Sequence, residues 1–143
     1  MENLTTTQLA IALIRPMESC RLRAYWDALG KVWTIGWGHT KGVVEGQTRT
    51  QTEADQWLGD DLAPLLDLVC HLPTIQGAAL VSFGHNCGIG AMQQVLSGSI
   101  APTIKGFITK SGSFYGSTAK GVYSQGLNNR RMLESALYLA GKV

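Results

Sequence analysis

Three polar residues in the first quarter of the chain have the chemistry and spacing for bond cleavage: Glu18, Asp27 and Thr34. Glu18 and Asp27 are nine positions apart. On one continuous helix, nine steps of about 100° would set them on opposite faces. They converge only if the helix stops between them. Pro16 predicts such a stop, and the residues that follow read as strand and turn, with Tyr25, Trp26, Val32, Trp33, Ile35 and Trp37 among Gly30, Gly36 and Gly38. A two-residue hairpin loop at Gly30 and Lys31, of type II′, would pair Asp27 with Thr34 on one face, with Cβ atoms roughly 5 Å apart. A carboxylic acid at a helix end would then look at a carboxylate and a hydroxyl on a hairpin. Such a set can break a glycosidic bond: one carboxyl protonates the leaving oxygen, and the other stays ionised to activate water or support oxocarbenium-like charge. Their surroundings must separate their proton affinities. Glu18, beside Ile14 and Met17, has the more apolar context and suits the acid. Asp27 suits the base, and Thr34 can hold the water. The spacing alone is a weak signal, because Glu and Asp are usually solvated surface groups.

The elements around these residues can be read coarsely. Thr7 to Arg15 is an amphipathic helix behind a run of threonine caps, ended or kinked by Pro16. Leu22 to Thr40 is strand and turn, and Thr40 to Thr50 a polar loop. Thr50 with Glu53 forms a capping box, opening a helix to about Cys70 that Pro64 should kink. After Pro73, Thr74 caps an apolar helix through Phe83 and Asn86 that Gly88 closes. Ala91–Leu96 and Ile100–Ile108 read as short helices, and Lys110–Gly121 as a Ser/Gly loop. Asn128 or Asn129 caps a last helix ending at Gly141, with Arg130 and Glu134 paired on its surface. The class is α+β, with a small β-containing N-terminal lobe over about 15–50 and a helical lobe over about 51–143. A cleft between lobes is a common ligand site.

Composition agrees with a single folded unit over 1–143. The 143 residues match one domain of about 150, and 45% apolar content argues against disorder. The 17 glycines are well above the usual share of about 7% and imply many turns. A net charge of +2 is too small for a dedicated nucleic-acid binder, so no nucleic-acid partner is expected. Cys20, Cys70 and Cys87 are odd in number and widely spaced, which points to free thiols and a reducing cytosol rather than a disulfide framework. The N-terminus has no basic segment before an apolar run, so no signal peptide is expected. No apolar stretch is long enough for a membrane anchor, so no stable membrane association is expected.

Longer motifs sharpen the carboxylate reading. Glu18-Ser-Cys-Arg-Leu-Arg-Ala-Tyr-Trp-Asp27, followed by Gly30 and by Trp33-Thr34-Ile35-Gly36-Trp37-Gly38-His39-Thr40, resembles the bacteriophage-type lysozymes, glycoside hydrolase family 24. The likeness continues in family order through Leu80-Val81-Ser82-Phe83-Gly84-His85-Asn86-Cys87-Gly88 and Gly126-Leu127-Asn128-Asn129-Arg130-Arg131-Met132-Leu133-Glu134. The resemblance implies a lysozyme fold with the substrate groove between two lobes. It also implies hydrolysis of the β-1,4 bond between N-acetylmuramic acid and N-acetylglucosamine in bacterial peptidoglycan, with inversion. Residue by residue, it assigns Glu18 as the acid, Asp27 as the second carboxylate and Thr34 as the water holder. By motif position it makes His85, Asn86, Asn129 and Arg130 candidate substrate contacts, and Arg131 a structural ion-pair residue. No metal or cofactor is implied. The chain departs from the family in four places: six residues rather than five separate Asp27 from Thr34, Ser19 follows the acid where Gly is usual, Pro16 and Met17 replace a helix former and an aromatic, and His85 stands where an aromatic is common.

The resemblance implies an endolysin. It would be a monomer held in the host cytoplasm and would reach the periplasm and wall through a holin-type lesion at lysis. A tail-associated entry lysozyme would carry the same catalytic unit. A lytic transglycosylase usually lacks the Asp–Thr pair, and a wall-binding module has no need of all three groups. A zinc amidase would need ligands from His39, His71, His85, Cys70 and Cys87, whose spacing is poor for zinc. His39 reads as a structural residue paired with a carboxylate of the helix after Thr50, such as Asp61. Trp26, Trp33, Trp37 and Trp57 read mainly as lobe core, with at most one on the groove.

Overall fold

The computed structural model describes residues 3–119 and 121–141. Helix α1 spans Thr6–Met17, opened by a capping box between Thr5 and Gln8. It runs past the predicted stop. Pro16 lies in the last turn, where one lost backbone bond is tolerated, and the Glu18 N–H still donates to Ile14 O at 2.9 Å. Glu18 is thus the residue at which the helix lets go.

Strands β1 (Arg21–Asp27) and β2 (Val32–Gly36) form the antiparallel hairpin. Its register differs from the expected one by two residues. Asp27 pairs with Val32, Trp26 with Trp33 and Tyr25 with Thr34, so residues 28–31 form a four-residue loop. Two local features account for this. Asp27 Oδ1 accepts the Leu29 N–H at 3.0 Å and starts the turn two residues early. Lys31, rather than a glycine, then takes the left-handed conformation, at φ 50°. Because the slip is an even number, Asp27 and Thr34 stay on one face as diagonal neighbours, about 7 Å apart rather than directly opposed.

Helix α2 (Gln51–Leu68) has the predicted capping box at Thr50 and Glu53 and continues through Pro64. The loop before it is tied down by His39, whose Nδ1 lies 2.8 Å from Asp61 Oδ2 and whose ring lies 4.5 Å from that of Trp57. Helix α3 (Thr74–Cys87) is buried continuously from Gln76 to Gly84 and packs against α1, α2, α4 (Ile89–Leu96) and α5 (Gln125–Ala140). A helix apolar on nearly all sides is one the core surrounds. Thr74 is its first helical residue and Pro73 its cap position, with no side-chain cap. The core includes Ile14, Leu58, Leu62, Leu80, Phe83, Met92, Ile100 and Phe107.

The segment read as a short helix over Ile100–Ile108 is instead a hairpin of β3 (Ile100–Thr103) and β4 (Gly106–Thr109). Pro102 and the branched residues disfavour helix, and Gly106 at φ 129° makes the turn. The Ser/Gly loop also holds short strands: β5 (Phe114–Tyr115) joins β4, and β6 (Thr118–Ala119) pairs with β7 (Val122–Tyr123). Helix α5 starts earlier than expected, because Ser124 accepts the Leu127 N–H and caps it before Asn128 is reached. The elements together make an α+β fold.

Candidate active site

Two adjoining cavities form one groove. The larger, about 650 Å³, is bounded by Asp27, Leu29 and Gly30 of the hairpin and by Asn86, Phe114, Gly116 and Leu127 opposite. The second, about 570 Å³, is bounded by Glu18, Leu29, Asn86, Leu127, Asn129 and Arg130. Leu29, Asn86 and Leu127 belong to both, so the carboxyls of Glu18 and Asp27 face successive stretches of the same groove.

Glu18 is fixed from α5. Arg130 Nη1 donates to Glu18 Oε1 at 2.7 Å, Nε donates to Glu134 Oε2 at 3.1 Å, and Nη2 donates to Ser82 O at 3.0 Å. The guanidinium has a partner on each nitrogen, which sets its plane and with it the position of Oε1. The Arg130–Glu134 pair expected on the surface is therefore buried. Glu134 is wholly buried and also meets Arg131 Nε at 2.7 Å, while Ser82 Oγ donates to Glu134 Oε2. Arg131, expected as a structural ion-pair residue, pairs with Glu134 but does so fully buried, and it carries the network to Asn86 Oδ1 at 2.8 Å. The apolar setting read for Glu18 gives way to an arginine contact. Its second oxygen, Oε2, lies against Gly38, where an added Cβ would come within 3.0 Å of it. Gly38 also has φ 90°, so the position excludes a side chain on two counts.

Asp27 is held more lightly. Only Oδ1 accepts a hydrogen bond among the described residues, from the Leu29 N–H. Thr34 is buried, at 4% exposure, and its hydroxyl donates to Val32 O at a long 3.4 Å, leaving its lone pairs available. Tyr25 faces Thr34 across the hairpin. Burial above all, and then the charges of Asp27 and Glu18, push its phenol above the usual range, while Arg21 over the ring opposes them.

The structure brings Glu18, Asn86, Asn129 and Arg130 to one compartment and Asp27 to the next. His85 lines neither. Its Nε2 donates to Trp37 O at 3.0 Å, and it borders a separate cavity of about 200 Å³ with Gly38 and Asp61. That placement makes His85 a brace for the segment over Glu18 rather than a groove contact. None of the four tryptophans lines the groove compartments. Phe114 and Leu29, which do, were not singled out from sequence, where each falls in a segment read as turn or loop. Cys87 borders the groove, but burial raises its thiol pKa despite Arg131 beside it. Among the described residues, no three His, Cys, Asp or Glu side chains are grouped to hold a metal, and no helix is long and apolar enough to cross a membrane.

A mixed helix–strand core with an arginine-held glutamate at the end of the first helix, on the groove that a β-hairpin aspartate borders, is a lysozyme-like arrangement. The family model for phage lysozyme matches residues 15–134, and the chain belongs to that family. It is similar to the endolysin of Bacillus phage B103, 32% identical over 95% of this chain and 54% of the relative. It is 40% identical to the endolysin of Lactococcus phage c2 over 57% of this chain and 39% of that protein. The chain spans about half or less of the length of these curated relatives. Among solved structures it resembles an endolysin from Escherichia coli O157:H7 phage FAHEc1, with TM-score 0.67, 25% identity and coverage of 96% and 95% of the two chains. It also resembles the muramidase domain of SpmX from Asticaccaulis excentricus, with TM-score 0.65, 28% identity and coverage of 96% and 99%.

Proposed function

We propose that this chain is a peptidoglycan hydrolase that cleaves the β-1,4 bond between N-acetylmuramic acid and N-acetylglucosamine, with residues 1–143 acting as one catalytic domain. The observation that carries this reading is the pair of carboxyls on one groove in unlike surroundings, one clamped by Arg130 and one at a hairpin tip. Glu18 is the acid. Arg130 occupies Oε1, so the proton for the leaving oxygen rides on Oε2. Asp27 is the base. A water that gives one hydrogen to Asp27 and the other to the free lone pair of Thr34 keeps its own lone pair for the anomeric carbon. Asn86 and Asn129 line the groove and supply amide groups to hydroxyl or acetamido substituents, while Arg130 acts through Glu18. The family assignment and the endolysin relatives support this reading.

The same reading extends to biology. The protein is an endolysin that acts as a monomer, waits in the host cytoplasm, and reaches the periplasm and wall through a holin-type lesion. The deciding experiment is mass spectrometry of fragments from purified peptidoglycan, with Glu18→Gln as control. Reducing N-acetylmuramic acid ends, absent in the control, are expected. Anhydro-muramic ends would replace water by the sugar's own hydroxyl and remove the roles given to Asp27 and Thr34. Free peptide stems would move the reaction to an amidase, and no release at all would leave a wall-binding module.

A further inference from the structure

Asn86 and Asn129 both border the Glu18 compartment, and both are exposed. An asparagine offers an oxygen at one end of its amide and an NH2 group at the other, and the surroundings decide which end a ligand meets. Arg131 Nη1 donates to Asn86 Oδ1 at 2.8 Å. A guanidinium only donates, so this amide cannot turn over without setting donor against donor. Arg131 has no room to yield. It is wholly buried, paired with Glu134 and covered by Gly116, where an added Cβ would lie 2.8 Å from Arg131 Cδ. At the start of α5, Gln125 Nε2 donates to Asn129 Oδ1 at 2.7 Å, and the Tyr123 hydroxyl holds Gln125 by donating to its Oε1 at 3.0 Å. Both asparagine oxygens are therefore spent on the protein, and neither Nδ2 has an acceptor among the described residues. Met17, Leu127 and Leu133 give the same compartment an apolar lining.

We propose that Asn86 and Asn129 form a two-donor subsite beside Glu18 for methyl-bearing amide carbonyls of the substrate, their Nδ2 groups donating to the carbonyl oxygen while Met17, Leu127 and Leu133 meet the methyl. This rests on the hydrolytic reading above, which makes peptidoglycan the substrate. A hydroxyl both donates and accepts, so it satisfies either end of an amide. A carbonyl only accepts, and a site with donors alone selects it. Peptidoglycan carries a methyl beside an amide carbonyl in two places: the acetamido groups of its sugars and the lactyl-alanyl root of its peptide stems.

Binding is measured by sedimentation with purified wall, using the full chain carrying Glu18→Gln so that the wall is bound and not cut. Asn86→Asp and Asn129→Asp keep the oxygen that Arg131 or Gln125 holds and replace the NH2 group by a second oxygen. Asn86→Ala and Asn129→Ala remove the donor without adding charge. Each substitution is expected to weaken binding about tenfold, the worth of one hydrogen bond. The same series on de-N-acetylated wall and on wall stripped of its stems by an amidase names the source. A loss that vanishes on one treated wall assigns that donor to the carbonyl removed there, and a loss that vanishes on both assigns it to both. Variants that bind intact wall as tightly as their parent, or losses that persist on both treated walls, overturn the proposal. Fragment release by the protein with Glu18 intact is scored separately. No release removes the hydrolytic reading, while sedimentation still decides what the two amides bind.

Discussion

Glu18 and Asp27 border one groove, but the molecule holds them in different ways. Glu18 is anchored by an arginine that spends its other nitrogens on a buried glutamate and a backbone carbonyl. That network runs from α1 through α5 into α3, the middle of the core. Asp27 sits at the tip of a two-stranded hairpin, held by the N–H of Leu29 two residues away. An isolated two-stranded hairpin is marginal without support, so the base side takes its precision from local turn chemistry and its neighbours, and the acid side from the core. A general acid must meet a leaving oxygen at one fixed distance, whereas a base that works through water has a further bond of slack. The stiff half of the site thus carries the more demanding geometry.

Neutralising each carboxyl in turn separates the two halves of the site most directly. Glu18→Gln removes the transferable proton and is expected to lower turnover by about 10³-fold or more, measured as fragment release from purified walls. Its amide oxygen can still accept from Arg130, so the melting curve should change little. Asp27→Asn keeps the turn that Leu29 closes and should leave stability within about 0.5 kcal/mol, with a loss of about 10²-fold in turnover. Equal losses from the two would mean that Asp27 is as tightly positioned as Glu18.

The next test moves from the carboxyls to what supports them. Glu134 is wholly buried between Arg130 and Arg131. Glu134→Gln leaves Arg131 buried with no carboxylate partner and Arg130 with Glu18 alone, and should destabilise the fold by about 3–5 kcal/mol, read from urea unfolding. It should also release Arg130 and lower turnover at temperatures where the protein remains folded. A loss under about 1 kcal/mol would show that the network is ornamental to folding, and that Glu18 is placed by the helix end alone.

These contrasts also separate what sequence could and could not reveal. The Thr50–Glu53 box and the Gly88 closure depend on neighbours a few positions apart, and they stand as read. The convergence of Glu18 and Asp27 on one groove followed from a helix ending between them, although the end came two residues later than Pro16 implied. The hairpin register was misread because two turns competed, and the Asp27–Leu29 bond with Lys31 at positive φ outweighed the glycine at position 30. Ile100–Ile108 was misread because a short apolar run has no period that distinguishes helix from strand. The burial of Arg130, Arg131 and Glu134 was hidden for a different reason: an i,i+4 pair looks the same on a surface as in a core, and only Ser82 and Glu18, from distant segments, make the difference.

The slipped register sets up a finer test of the base side. Thr34→Val keeps the side-chain shape in a buried position and removes the hydroxyl. If Thr34 holds the water across the hairpin diagonal, turnover should drop about tenfold, the worth of one well-placed hydrogen bond, with binding to the wall unchanged in a sedimentation assay. If turnover is unchanged, the two-residue slip has carried the hydroxyl out of reach, and Asp27 handles the water without it.

The smallest expected effect concerns the struts behind the hairpin. Trp37 Nε1 donates to Asp55 Oδ1 at 2.8 Å, and Gln51 adds a second donor at 2.9 Å. These bonds, with Arg15 nearby, hold the Asp55 carboxyl below its ordinary range, the indole contributing most. A carboxyl depressed on folding contributes stability that is fully present above its unfolded value and is lost as pH falls through the lower folded value. Trp37→Phe removes the leading donor and a constant amount of packing. The stability gap between wild type and variant should therefore be widest near neutral pH and narrow below the ordinary carboxylate range, settling at the packing difference alone. Urea midpoints measured from pH 7 down to pH 2 would show this. A gap of the same size at both ends would mean that the indole braces the segment over Glu18 by shape alone, and that this segment owes nothing to the charge on Asp55.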